Sequence, residues 1–153
     1  MNNNISENIF AAFKIKTRMS IFKATIRFIG FTLLGLFVLM MFSALIAYLD
    51  HHDGSLYALL VSSGITLVAG LCGVLLTKAN QKIDLKTGFF IVVGCWVVAC
   101  SFGALPFVLY GHEFSFINAL FESVSGFTTT GASILNDIEA VPQGLLFWRI
   151  ATS

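Results

Sequence analysis

Between Ile26 and Tyr110 the chain is almost continuously apolar, broken only by short polar stretches at 50–55 and 77–86. The resulting runs are Ile26–Leu49, Leu56–Leu76 and Gly88–Tyr110. Each is long enough for a helix to cross a bilayer, which takes about 20 apolar residues over about 30 Å of hydrocarbon. Charged residues make up only 11% of the 153 residues, where a soluble domain carries about 25%. With 57% hydrophobic residues and a mean hydropathy of +0.87, the chain reads as an all-α integral membrane protein.

The stretches around the spans are informative in different degrees. Residues 1–25 are polar and then basic, with Ile5, Ile9 and Phe13 at helical spacing among Lys14, Lys16, Arg18 and Lys23. They read either as a short surface-lying helix or as a cytoplasmic tail with some helix. The apolar run that follows is far longer than the about 7–15 residues of a signal-peptide core. Asp50-His51-His52-Asp53-Gly54 invites a metal-site reading, but adjacent histidines without i, i+4 spacing favour a solvated turn. Cys72, Cys95 and Cys100 lie inside apolar runs without CxxC spacing and read as packing residues. Ala69 and Gly73 in the second span, and Cys95, Ala99 and Gly103 in the third, form small-residue faces that let helices approach closely. Pro106 removes a backbone donor and bends the third span near its far end.

Charge distribution sets orientation. Lys14, Lys16, Arg18, Lys23 and Arg27 precede or open the first span, Lys78, Lys82 and Lys86 lie in the second polar stretch, and 50–55 and 111–115 carry no Lys or Arg. Positive charge stays inside, so the N-terminus and the 77–86 loop are placed in the cytoplasm and Gly111-His112-Glu113 outside. The same clusters leave no basic face for nucleic acid.

The stretch FINALFESVSGFTTTGAS, Phe116 to Ser133, follows the third span. Ser115 can cap a helix over Phe116–Gly126, about 16 Å long and half a bilayer. Phe116, Leu120, Val124 and Phe127 fall on one side, and Asn118, Glu122 and Ser125 on another. A half-crossing helix with a polar side must be buried in protein or line water. Thr128-Thr129-Thr130 resist continuing a helix, and Gly131 admits backbone angles closed to other residues. An extended return through Ser133 would lead outward to Asn136, Asp137 and Glu139. Non-helical backbone at this depth is tolerated around a cavity, where carbonyls can replace an ion's hydration shell. Turning successive carbonyls one way requires left-handed residues, free for glycine and strained for threonine. The C-terminal end of the half-helix adds about half a negative charge. These residues describe a cation pathway without naming the cation.

FESVSGFTTTGAS followed by PQGLLFWRIATS, after a span ending in ALPF and two earlier helices, resembles the first pore repeat of the Trk/Ktr/HKT superfamily of potassium transporters, in its bacterial Trk-type membrane subunit. The resemblance covers most of the chain after the N-terminal tail. It implies a tail over 1–25, a two-helix membrane unit over 26–86, and a first pore repeat over 87–153. That repeat consists of an outer helix, a re-entrant pore helix, a filter loop and the start of an inner helix. It implies that Thr129, Thr130 and Gly131 supply filter carbonyls, flanked by Thr128 and Ala132, and glycine at position 131 points to potassium rather than sodium. It further implies a bacterial inner-membrane location, no cofactor besides the transported ion, three further repeats completing the pore, a homodimer, and a cytoplasmic nucleotide-binding regulatory subunit. Because this sequence stops at Ser153 inside the second helix of the repeat, it is expected to be an N-terminal fragment or a truncated product.

Two charged residues stay open. Glu122 reads as an ion-pathway acid or, in preference, as a structural acceptor behind the filter. Arg149 reads equally as a compensating charge near the outer mouth or as a snorkelling interfacial residue. Two other function classes compete. An intramembrane enzyme would use Ser125 with a histidine base, but His51, His52 and His112 all fall in loops. A non-conducting assembly or scaffold protein would keep only the fold.

Overall fold

The computed structural model describes the backbone of residues 2–50, 54–77, 85–111, 114–134 and 141–153, with side chains from Ile21 onward except at 85–86. His51, His52, Asp53, residues 78–84, His112, Glu113 and residues 135–140 lie outside the described residues. So do the metal reading of the first turn, the positions of all three histidines, and the outward return near Asn136, Asp137 and Glu139.

Every element among the described residues is a helix: α1 (Asn2–Leu49), α2 (Leu56–Leu75), α3 (Leu85–Gly103), α4 (Leu105–Tyr110), α5 (Phe116–Phe127) and α6 (Gln143–Ala151). The first run is longer than its apolar core suggests, because α1 continues through the polar N-terminal segment as one helix of 48 residues. No proline or glycine interrupts it before Gly30, and the segment suited to crossing a membrane is Ile21–Leu49. The N-terminal segment therefore joins the span without a turn.

Leu56–Leu75 and Thr87–Tyr110 are the other two segments long and apolar enough to cross. The third is divided just before Pro106. α3 ends at Gly103, Ala104 forms a turn, and Pro106 sits in the first turn of α4, where its missing N–H costs least.

α1 and α2 approach backbone to backbone. A Cβ added at Gly73 would lie 3.0 Å from the Gly30 Cα, and one at Gly30 would lie 2.9 Å from the Gly70 carbonyl oxygen. Only hydrogen fits between these chains, so Gly73 does what its small-residue face implies, with Gly30 of α1 as its counterpart and Gly70 of α2 meeting the same glycine. The buried core runs from Met40 and Ala44 of α1 and Leu59 of α2 to Phe107 of α4 and Leu145 and Trp148 of α6. Phe31, Phe42, Val68, Phe89 and Val97 remain more than half exposed on the outer faces, as helices solvated by lipid leave them. Hydroxyls within the spans bond back to their own helix, as Ser43 does to the Leu39 carbonyl at 3.1 Å and Thr66 to that of Ser62 at 2.7 Å.

Candidate functional site

α5 begins as its sequence dictates. Ser115 is extended (φ −62°, ψ 161°) and its hydroxyl accepts the Asn118 N–H at 3.3 Å. Its 12 residues measure about 18 Å, so the helix reaches little more than halfway through a hydrocarbon layer of about 30 Å. Glu122, Ser123, Ser125 and Gly126 are buried against protein, while Phe116, Ile117, Phe121 and Val124 are exposed. The polar side thus turns inward.

Three contacts fix the helix. Ser123 donates to the Cys100 carbonyl of α3 at 2.7 Å. Gly103 lies so near that an added Cβ would stand 2.5 Å from the Phe127 ring. At the far end, a Cβ on Gly126 would meet the Thr152 hydroxyl at 2.9 Å. Trp148, fully buried, donates its indole N–H to the Gly103 carbonyl at 3.0 Å and ties α6 to the end of α3. Cys95, Ala99 and Gly103 do not act alike: Ala99 is buried, Cys95 is half-buried, and Gly103 makes the close approach.

The chain then unwinds. The N–H groups of Thr128, Thr129 and Thr130 bond back to the carbonyls of Val124 (2.9 Å), Gly126 (2.7 Å) and Ser125 (3.0 Å). Thr129 has φ +51° and Gly131 has φ +72°. Among the described residues Thr129 is the one non-glycine with positive φ. For a β-branched residue this conformation costs on the order of 1–3 kcal/mol, which the three inward N–H bonds offset. Among the described residues, no donor reaches the carbonyls of Thr128, Thr129, Thr130 or Gly131. Ala132 differs, since its carbonyl accepts the Ser125 hydroxyl at 2.5 Å. The side chains of Thr128 to Ser133 are exposed, and the Thr128 and Thr130 hydroxyls share a hydrogen bond of 2.7 Å.

Behind this loop lies a pairing that the linear sequence does not display. Glu122 is 1% exposed. Its Oε1 accepts the Ser133 hydroxyl and the Ile134 N–H, both at 2.7 Å, and its Oε2 accepts the Arg149 Nε at 2.8 Å. Of the two readings of Glu122, the contacts are those of a structural acceptor. Arg149 crosses from α6 to this buried carboxylate. A cavity of about 130 Å³ adjoins the pair, lined by Ser125, Gly126, Gly131, Arg149, Ile150 and Ser153. Ser125 spends its hydroxyl on Ala132 and is not poised as a nucleophile. Among the described residues no cluster of histidine, cysteine and carboxylate side chains could hold a metal.

Taken together, the helices define a polytopic membrane protein with three segments long enough to cross and a shorter helix, α5, that ends in an unwound loop. Residues 61–153 match the family described as TrkH: Cation transport protein, and the chain belongs to that family, one of transporters rather than enzymes. The Trk system potassium uptake protein TrkH of Halomonas elongata is 36% identical over 119 residues, which cover 76% of this chain and 25% of that protein. Trk system potassium uptake protein TrkG of Escherichia coli K12 is 32% identical over 120 residues, covering 76% and 24%. The crystal structure of the potassium transporter TrkH from Vibrio parahaemolyticus matches with a TM-score of 0.77 at 32% identity, over 84% of this chain and 28% of that one. The chain therefore spans about a quarter of the length of these relatives.

Proposed function

We propose that this chain contributes to potassium uptake across the bacterial inner membrane, and that Thr128–Ala132 is one quarter of a selectivity filter. Thr129, Thr130 and Gly131 supply the main-chain oxygens, with Thr128 and Ala132 at the margins. The observation that carries this reading is the set of carbonyls from Thr128 to Gly131 that no donor among the described residues reaches, beside a helix about half a bilayer long. A dehydrated cation is the partner such oxygens lack. The C-terminal end of α5 adds its partial negative charge at the same place. Ala132 belongs at the edge, because Ser125 already draws on its carbonyl.

The names of the relatives favour potassium as the cargo. The remaining oxygens of the ring come from three further repeats in the protein at its native length. The Lys and Arg distribution puts the N-terminus in the cytoplasm. On the same reading the assembled protein is a homodimer that works with a cytoplasmic nucleotide-binding subunit.

The test is Gly131→Ser in the protein at its native length, with potassium and sodium flux measured in proteoliposomes. The variant inserts into the membrane but loses preference for potassium, because φ +72° strains a side-chain-bearing residue and moves the neighbouring carbonyls. An unchanged flux ratio would place Gly131 outside the pathway. A wild-type protein that neither carries potassium nor restores growth to a potassium-uptake-deficient bacterium would favour the non-conducting scaffold reading.

A further inference from the structure

The loop from Thr128 to Ile134 is held in two different ways. Its first half hangs from main-chain bonds that extend the turn of α5. Its second half hangs from side chains: Ser125 on the Ala132 carbonyl, and Glu122 on Ser133 and Ile134. Glu122 and Ser125 are three residues apart on one face of α5. The Glu122 carboxylate is in turn held by Arg149 of α6, a residue 27 positions on. We infer that Glu122 is a positioning residue for the loop: its Oε1 sets the returning limb, and its Oε2 makes that setting depend on the place of α6. This inference rests on the filter reading given above and adds how the filter is held and what can move it.

The chemistry separates this role from that of a salt bridge that merely joins two helices. Oε1 works as an acceptor for one hydroxyl and one amide, and a guanidinium offers donors only. Exchanging the charges would therefore preserve a helix-to-helix pair while removing the acceptor from the loop. A glutamine would keep an acceptor oxygen for the loop while giving up the charge toward Arg149. Glu122 is itself 1% exposed, so its carboxylate relies on these protein partners.

The experiment uses the protein at its native length in proteoliposomes, reading the potassium-to-sodium flux ratio together with the thermal midpoint. Glu122→Ala is expected to lower the ratio by about tenfold, the loss of charge-assisted bonds to a buried carboxylate. Glu122→Gln is expected to retain most of the ratio, and the exchange Glu122→Arg with Arg149→Glu to behave like Glu122→Ala even where it restores the midpoint. Recovery of the ratio by the exchange, or a folded Glu122→Ala with the wild-type ratio, overturns the inference. Should Glu122→Ala not insert, Ser133→Ala removes one of the same bonds from the loop side. It is expected to shift the ratio in the same direction, and no shift overturns the inference equally. A Gly131→Ser variant carried in parallel distinguishes the two levels: if it alters the ratio and the Glu122 and Ser133 variants do not, the filter stands and the positioning role falls.

Discussion

Replacing Gly103 by alanine is the sharpest test of how α5 is located. The new Cβ would stand 2.5 Å from Cε2 of Phe127 and 2.7 Å from Oγ of Ser123. Ordinary carbon contacts begin at about 3.5 Å, so α5 or the Phe127 ring must retreat by about 1 Å. Ser123 resists, because its hydroxyl is bound to the Cys100 carbonyl at 2.7 Å. Overpacking of this kind costs about 1–3 kcal/mol, while alanine regains about 0.5–1 kcal/mol over glycine in a helix. The net expectation is a loss of up to about 2.5 kcal/mol. Gly64→Ala is the control, since it lies within α2 with nothing within 4 Å of the added atom. It should gain the helical increment alone. Thermal denaturation of the purified protein in detergent should order the midpoints as Gly64→Ala at or above wild type, and wild type above Gly103→Ala. A Gly103→Ala protein as stable as the Gly64→Ala protein would refute the close approach between α3 and α5.

Other substitutions probe the remaining contacts. Thr129→Asn keeps the backbone and suits φ +51°, so stability should rise by about 1 kcal/mol as left-handed strain is relieved; a lower midpoint would show that the threonine side chain outweighs the strain. Trp148→Phe withdraws the N–H given to the Gly103 carbonyl at 3.0 Å and should lower stability by about 1–3 kcal/mol, read from the same midpoint. An unchanged midpoint would mean that the bond contributes nothing net. Gly131→Asp should abolish uptake while membrane insertion, read by fractionation, is retained; undiminished uptake would contradict the filter reading.

Local patterns made much of this structure legible, while pairings across the chain stayed hidden. The spans could be read because twenty or so apolar residues admit few alternatives, and α5 could be read because Ser115 and the threonine run bracket it. Its start fell as expected, and its end extends one residue further, to Phe127. The division before Pro106 and the left-handed Gly131 follow from the residues themselves. The unbroken α1 was less legible, because the basic N-terminal segment differs in polarity from the span but carries nothing that stops a helix. Glu122 and Arg149 each stood out as charges in apolar surroundings. Their union depends on how α6 packs against α5, which no spacing along the chain encodes. The same is true of Trp148, which a sequence pattern shows only as another large apolar residue.

The glycine seam between α1 and α2 constrains motion as well as packing. Sliding α1 by one helical turn would bring Ile26 or Leu34 to the place of Gly30, where even a single added carbon already collides. A ratchet of one helix past the other needs interchangeable side chains on both surfaces, and here the facing surfaces are main chain. This helix pair therefore has one permitted register and serves as a fixed wall. Any relative movement of the helices has to be taken up outside this seam.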